Sequence, residues 1–171
     1  ILERYLPQGT EIDLWNDSCY VSLVGFLFKD TKLKGFSIPF HTNFEEVNLR
    51  FYVRYKDNGE WKRGVVFVKE IVPKPALTFV ANSFYRENYE TLPMSHSWVT
   101  SEENLTVEYK WKRERWNSFK VIAEKNPCVI KANSEEEFIT EHYWGYTKLS
   151  NEKTSEYGVE HPKWEVYQIS D

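Results

Sequence analysis

The chain of 171 residues has the length of one domain, and its 41% hydrophobic and 17% aromatic content can build a substantial core. Its net charge of -4 gives no general attraction to nucleic acid or to anionic membranes, so we expect neither as a partner. No apolar run approaches the roughly 18 residues of a membrane span, and no signal segment is visible. We therefore expect a cytoplasmic protein with a single domain over residues 1–171, trimmed at the N-terminus because it begins at Ile1 rather than Met.

The first predicted elements are a helical turn and a strand. In residues 1–6 the apolar side chains share one helical face, and Pro7 ends the helix. Residues 20–28 are apolar on both faces, which is typical of a central strand that is covered on two sides. Residues 29–42 are expected to form a long loop or a flap.

A long β-ribbon is predicted for residues 44–72, with its turn at residues 57–60. Asn58-Gly59 is a strong hairpin signal, because both residues adopt positive φ at little cost in a type I′ turn. Side chains alternate along the first strand, so one face is polar and the other is apolar. The polar face either meets solvent or lines the interior of a barrel. It carries Glu46, Asn48, Arg50, Tyr52 and Arg54.

The second half of the chain predicts short helices among further strands. Pro75 suits the first turn of a helix, where its missing N–H costs nothing. Four apolar side chains then recur at helical spacing and form a packing face, namely Leu77, Val80, Ala81 and Phe84. Ser134 and Glu137 form a capping box that starts a second helix. Strands are predicted at residues 95–99, 105–111, 119–123 and 164–169.

Four motifs occur in a fixed order: LPQGTEID at residues 6–13, the ribbon, FITE at residues 138–141, and HPKW at residues 161–164. With them the chain resembles the YqjF-like family of uncharacterised bacterial proteins, which is grouped with the acetoacetate decarboxylase fold. The resemblance implies a mainly β (α+β) protein: an antiparallel β cone or barrel of the acetoacetate-decarboxylase-like type, with a few peripheral helices around a cavity. It implies no reaction, because a fold does not fix a function.

The Schiff-base lysine of acetoacetate decarboxylase is not expected here. The resemblance places that lysine in residues 85–93, and this segment contains none. Lys69 stands in an apolar strand, but a lysine that reaches solvent from a strand end beside Glu70 is the favoured interpretation. We predict that borohydride will trap no acetoacetate adduct on this protein.

The candidate ligand-binding residues come from three segments. An arginine is well suited to hold a carboxylate or phosphate, because its guanidinium donates two parallel hydrogen bonds. An internal ion pair of Arg50 with Glu141, which binds nothing, is an alternative of about equal weight. The candidate set is Glu46, Asn48, Arg50, Tyr52, Arg86, Tyr89 and Glu141.

Other kinds of site find little support in the sequence. The histidines, His41, His96, His142 and His161, lack metal-ligand spacing, so no metal is expected. No nucleotide-binding or serine-hydrolase motif occurs, and no cofactor is expected. Cys19 and Cys128 stand in apolar, strand-like contexts, and Cys128 is expected to be a packed strand thiol rather than a catalytic thiolate. The basic and aromatic residues 109–116 favour a solvated hairpin over a single-strand binder.

Two hypotheses for function remain open. The first is a module that binds a small anionic metabolite in an internal polar cavity. The second is an enzyme that acts on small carboxylate or keto substrates by acid–base chemistry, without a Schiff-base lysine. In the second, Glu141 or Glu46 is the acid or base and Arg50 holds the anion. No catalytic residue and no oligomeric state can be assigned from the sequence.

Overall fold

The computed structural model describes residues 1–33, 36–37, 41–159 and 163–170. It is mainly β, with a curled half-barrel sheet and a few short helices, and this coarse fold class is confirmed. The remaining parts of the predicted loop at residues 29–42 and of the HPKW motif lie outside the described residues. The helices are a 3-10 turn Leu2–Tyr5, α1 (Pro75–Val80) with a following π-helical turn Ala81–Tyr85, and α2 (Glu135–Thr140).

The described strands are, in chain order, β1 (Thr10–Ile12), β2 (Leu14–Trp15), β3 (Ser18–Cys19), β4 (Val21–Phe28), β5 (Lys32–Leu33), β6 (Phe36–Ser37), β7 (Phe44–Asp57), β8 (Glu60–Val72), β9 (Tyr89–Thr91), β10 (Met94–Thr100), β11 (Asn104–Lys112), β12 (Trp116–Cys128), β13 (Trp144–Lys148), β14 (Thr154–Gly158) and β15 (Val166–Ile169).

The predicted ribbon is confirmed as β7 and β8, which pair antiparallel from their shared turn. Asn58 and Gly59 have φ values of 48° and 94°, as a type I′ turn requires at both central positions. The register slips once: Arg50 pairs with Phe67, whereas Leu49 pairs with Lys69, so Val68 is an extra residue on β8. This bulge decides which β8 side chains share a face with the polar residues of β7.

The larger sheet has the order β1-β7-β8-β13-β14, with β4 also on β7 and β9 also on β8. It is mixed rather than purely antiparallel, because β9 and β13 each pair parallel to β8. The helical segment after β8 is the crossover that parallel pairing of β8 with β9 needs. Strands β9 and β13 both pair with the edge of β8 that faces away from β7. Residues 86–88, which precede β9, therefore lie close to β13.

A second sheet, in the order β10-β11-β12-β15, packs on β4. The approach is close at Gly25, where an added Cβ would lie 2.6 Å from Phe119 Cζ and 2.7 Å from Tyr109 Cδ2. His96 Nδ1 and Glu45 Oε1 lie 2.8 Å apart and join β10 to β7. The second sheet therefore covers part of one face of the larger sheet.

Strand β7 is buried on both faces. One face belongs to a core cluster of Phe51, Val53, Val66 and Tyr146, and Tyr52 on the other face packs with Val65 and Phe138. The polar face is buried along most of its length, since Glu46 and Asn48 are 2% exposed and Tyr52 is 0% exposed. The interior alternative for this face is thus the correct one for Glu46, Asn48 and Tyr52, whereas Arg54, near the turn, reaches solvent.

Three expectations about packing were wrong. Strand β4 pairs only with β7, and its Val21 and Leu23 are exposed, so it is not covered on two sides. On the first helix Phe84 is exposed and Ala81 is buried, because the π-helical turn replaces the 3.6-residue period that placed both on one face. Cys19 and Cys128 are exposed, since both occupy strand ends rather than packed interiors.

The predicted capping box is present with one change. The Glu137 amide donates to Ser134 Oγ over 3.3 Å and starts α2, as expected. The Glu137 carboxylate accepts from the Asn133 amide rather than from that of Ser134. Among the described residues, none of the helices is both long enough and apolar enough to cross a bilayer.

Candidate functional site

A pocket of about 200 Å³ lies where β8, the segment before β9, β13 and the N-terminal turn meet. Val66, Val68 and Tyr146 belong to its apolar wall. Its polar lining combines both signs of charge and consists of Arg4, Glu70, Arg86, Glu87, Asn88 and Lys148. A half-open concave space with converging polar groups is a candidate ligand site.

The three cations of this pocket are held by neutral groups. Arg86 adopts a left-handed conformation with φ 55° after the π-helical turn, and its Nη1 donates to the Leu149 carbonyl over 3.2 Å. Arg4 Nη2 donates to the Tyr5 hydroxyl over 2.8 Å, and Lys148 Nζ donates to the Arg4 carbonyl over 3.4 Å. Within the described parts of the chain, none of the three forms an ion pair with a carboxylate.

Glu70, at the floor of the pocket, belongs to a buried acidic network. Asn48 Nδ2 donates to Glu46 Oε1 over 3.0 Å, and the Tyr89 hydroxyl donates to Glu46 Oε2 over 3.2 Å. Glu70 lies directly opposite Asn48 in the β7–β8 register and is 2% exposed. Glu70 Oε2 and Asn48 Oδ1 are both buried and have no hydrogen-bond partner. A proton on the Glu70 carboxyl would turn one of these acceptors into a donor.

The electrostatics of the network favour that proton. Burial raises the pKa of Glu70 to about 9, and the charges of Glu46 and Glu87 add to the shift. Burial also raises the pKa of Glu46 to about 7, although the hydrogen bonds from Asn48 and Tyr89 oppose the shift. At neutral pH the network therefore holds a protonated Glu70 beside a Glu46 that is near its own midpoint.

The same acidic surroundings act on the remaining groups. Burial raises the pKa of Glu87, and a hydrogen bond with Tyr157 partly offsets the rise. Burial and the neighbouring carboxylates raise the pKa of Tyr89 and of Tyr157, so both phenols stay neutral. The network can donate protons and accept hydrogen bonds, and within the described residues none of Glu46, Glu70 and Glu87 forms an ion pair.

A second polar cluster lies further along the same face of β7. Asp13 Oδ2 accepts from Arg63 Nε over 2.7 Å and lies 3.4 Å from His142 Nε2. Burial opposes the charge on Asp13, but these hydrogen bonds hold the pKa of its carboxyl below the usual value. Burial lowers the pKa of His142, whose ring lies 4.7 Å from that of Tyr52. Arg50, with its guanidinium 5.7 Å from the Tyr52 ring, borders this cluster.

The structure divides the predicted ligand-binding residues among several places. Glu46, Asn48 and Tyr89 share the acidic network, Arg86 lines the pocket, and Arg50 and Tyr52 belong with His142. Glu141 accepts a hydrogen bond from the Tyr143 hydroxyl over 2.6 Å. In the described part of the chain it forms no ion pair with Arg50, and a role for the whole set in one site stays a prediction.

Several residues of the site were missed by sequence reasoning. They are Arg4, Glu70, Glu87 and Lys148 at the pocket, and Asp13, Arg63 and His142 in the second cluster. Asp13 ends the LPQGTEID motif and His142 follows the FITE motif, so the two motifs could have indicated these two residues as members of a site.

The structure also places two groups that bear on the predicted chemistry. Lys69 Nζ lies 3.1 Å from Glu90 Oε2 and donates to Asn88 Oδ1 over 3.3 Å, so the amine is paired at the side of the sheet. Among the described residues, no group of three or more histidine, cysteine or acidic side chains has a geometry that could hold a metal ion.

The comparisons with known proteins agree on the family. The chain is 26% identical over 170 residues to a protein of Bacillus subtilis (strain 168) named "Uncharacterized protein YqjF". That alignment covers 96% of this chain and 66% of the relative, so the chain spans just under two thirds of the relative's length. The resemblance to YqjF-like proteins is thereby confirmed. A family of uncharacterized conserved proteins, DUF2071, matches residues 1–170, and the chain belongs to that family.

Proposed function

We propose that the protein binds a small anionic metabolite in the pocket between β8, β13 and the N-terminal turn. The observation that carries this proposal is that Arg4, Arg86 and Lys148 line one pocket without a carboxylate partner in the described chain. Cations at a concave site usually neutralise a carboxylate or a phosphate. The ligand would supply the negative charge that the protein does not.

Glu70, the most deeply buried acid of the pocket, does not oppose this positive charge at neutral pH. It is protonated there because burial raises its pKa to about 9. A volume of about 200 Å³ limits the ligand to the size of a small metabolite, since each water molecule in the liquid occupies about 30 Å³. The pocket is thus suited to a small anion with further polar groups.

Binding of simple anions tests the proposal. Acetate, succinate and phosphate would be titrated into the protein with 15N-labelled backbone, and chemical shifts would be followed around the pocket. We expect at least one anion to bind at the pocket, and Arg86→Gln to weaken it roughly tenfold, the value of one charge-assisted hydrogen bond. Arg115→Gln, in the exposed β11–β12 turn, is the control and should leave binding unchanged. Absence of binding, or equal binding to both variants, would contradict the proposal.

An enzymatic role is a second candidate, and one observation favours it. Glu46 has a pKa of about 7, which suits a general acid or base at neutral pH, and the Tyr89 hydroxyl is hydrogen-bonded to it. The substrate would be a small carboxylate or keto acid, and no Schiff-base lysine would be involved. Glu141, the other candidate acid or base, is engaged by Tyr143 instead.

Deuterium exchange tests this second candidate. Pyruvate and acetoacetate would be incubated with the protein in D₂O, and their carbon-bound protons would be followed by NMR. Acid–base catalysis predicts exchange that Glu46→Gln abolishes, whereas Glu102→Gln on the exposed β10–β11 turn leaves it unchanged. Exchange that is no faster than in buffer alone would exclude the candidate. A borohydride-reduced adduct on Lys69 would show a Schiff base and contradict both candidates.

We also propose a fold type, a cellular location and a class of partner. The half-barrel sheet and the order of the sequence motifs support an acetoacetate-decarboxylase-like type of fold. The acidic composition supports a cytoplasmic protein whose partners are small molecules rather than nucleic acid.

A further inference from the structure

We propose that the ligand carries an ammonium group in addition to its anionic group, and that this ammonium lies against Glu70 and Glu87 at the floor of the pocket. The inference rests on the proposed binding function and narrows the class of ligand. Small amino acids, in the broad sense of one amine and one carboxylate on a short carbon chain, are compounds of this class.

The first observation is that the Glu70 carboxyl, which interacts with the Tyr89 hydroxyl, has no cationic partner among the described residues. The Glu70 side chain lines the pocket, its residue is 2% exposed, and its Oε2 atom has no hydrogen-bond partner. Glu87 lines the same pocket, and neither carboxyl forms an ion pair within the described residues. A carboxyl group buried as deeply as that of Glu70 is normally paired with a cation or a metal. A cation is therefore the group that this floor lacks.

The second observation is the separation of charge within the pocket. Arg4, Arg86 and Lys148 line it together with Glu70 and Glu87, yet no pair of opposite sign among the five approaches within ion-pair distance. Even Arg86 and Glu87, which are neighbours in the chain, stay apart, because the Arg86 guanidinium turns to the Leu149 carbonyl. Separate positive and negative ends are complementary to a zwitterion.

Every element packed around Glu70 leaves it without a counter-charge. Glu46 faces it from β7 and Tyr89 from β9, and the charge of Glu70 raises the pKa of Tyr157 on β14. Lys69, its neighbour on β8, is paired with Glu90. An ammonium bound here would meet Glu70 as a carboxylate, so the proton that Glu70 holds in the free protein would pass to solvent. Binding should then release up to one proton per ligand near neutral pH.

Calorimetry with matched ligands tests the inference. The amino acids are glycine, β-alanine and 4-aminobutyrate, and the matched acids that lack the amine are acetate, propionate and butyrate. We expect one amino acid to bind at least tenfold more tightly than its matched acid. Its binding enthalpy should differ between MOPS and Tris buffers in proportion to their ionisation enthalpies, because protons are released. The matched acid should show no such release.

Substitutions of Glu70 and Glu87 test where the ammonium group binds. Glu70→Gln keeps the shape and cannot ionise when the ligand binds, so it should bring the amino acid to the affinity of its matched acid and abolish proton release. Glu102→Gln, on an exposed turn, is the control and should change neither quantity. Circular dichroism checks folding, and Glu87→Gln takes the place of Glu70→Gln if that variant does not fold.

The outcomes separate this inference from the binding function on which it rests. Acids that bind as tightly as amino acids would overturn the inference and leave anion binding intact. Tighter binding of an amino acid without proton release, or with full affinity in Glu70→Gln, would overturn the placement of the ammonium. Binding of neither series would contradict the anion site as well.

Discussion

Glu70 shows how one bulge determines the chemistry of the site. A regular register from the Asn58-Gly59 turn would place Lys69 opposite Asn48, since Arg50 pairs with Phe67 on the turn side of the bulge. The extra Val68 places Glu70 there instead. The alternation of β7 was sufficient to predict that Glu46 and Asn48 share a face, but the bulge has no signature in the sequence, and Glu70 was missed for that reason.

The raised pKa of Glu70 makes the free energy of unfolding depend on pH. In the unfolded chain the carboxyl ionises near its usual value of 4.5, whereas the folded protein retains the proton up to about pH 9. The folded state therefore binds more protons between these limits, and stability falls as pH rises through this window. At pH 7 the loss from this group alone is on the order of 3 kcal/mol, at about 1.4 kcal/mol per pKa unit.

Glu70→Gln should remove this dependence, because the amide stays neutral at every pH. We expect the variant to be more stable than the wild type at pH 8 and to show a shallower loss of stability between pH 5 and pH 9. Urea unfolding at several pH values measures this. Glu102→Gln, an exposed control, should follow the wild-type curve. Parallel curves for Glu70→Gln and wild type would mean that Glu70 ionises normally.

Among the elements, β4 depends on a glycine for its contact with the second sheet. A Cβ at Gly25 would lie 2.6 Å from Phe119 Cζ and 2.7 Å from Tyr109 Cδ2, and both rings are part of a packed interface. We expect Gly25→Ala to cost roughly 1–3 kcal/mol, which is typical of overpacking. Thermal unfolding of the variant is the measurement.

Gly158→Ala is the matched control for Gly25→Ala. Gly158 ends β14, and an added Cβ there meets nothing within 4 Å. Its midpoint should stay within error of the wild type or rise slightly, because alanine reduces the entropy of the unfolded chain. Equal effects of the two substitutions would show that the sheets do not pack at Gly25.

Gly59, in the turn between β7 and β8, differs from Gly25 because its backbone conformation rather than its neighbours requires a glycine. Gly59 has φ 94° and nothing within 4 Å of an added Cβ, so any penalty there arises from the backbone alone. Gly59→Val should therefore be destabilising by roughly 1–2 kcal/mol or more, since β-branched residues are strained at positive φ. Gly158→Val, at a position without positive φ, controls for the new side chain. An unchanged urea midpoint for Gly59→Val would rule out the type I′ turn.

Elements were predictable where a local signal fixes them. The Asn58-Gly59 turn, Pro75 at the start of α1 and the capping serine Ser134 all predicted boundaries that the structure confirms within a few residues. Coverage of an element was harder to predict, because it depends on neighbours that are distant in sequence. Val21 and Phe84 are apolar and were assigned to packed faces, yet nothing in the described chain covers them.

At the scale of the whole molecule, strand β7 organises both polar clusters. Glu46 and Asn48 point into the acidic network. Tyr52, four residues after Asn48 on the same face, packs on His142 of the second polar cluster. The resemblance and the alternation together predicted a mainly β protein with a polar interior. They did not predict the parallel pairing of β9 and β13 with β8, and that pairing is what places Arg86, Glu87 and Lys148 around one pocket.

The most direct test of this account is a 13C NMR titration of the glutamate side-chain carboxyls, with Glu46→Gln and Glu70→Gln used to assign the resonances. The account predicts that two carboxyls titrate as a coupled pair far above all others, with apparent midpoints of about 7 and about 9. Glu46→Gln should remove the lower midpoint and also lower that of Glu70, because the charge of Glu46 no longer opposes the ionisation of Glu70. Glu70→Gln should remove the upper midpoint and leave that of Glu46 nearly unchanged, because Glu70 is still protonated when Glu46 ionises. If every glutamate titrates between about pH 4 and 5, the range of exposed carboxyls, the interior acidic network does not exist and the proposed pocket chemistry fails with it.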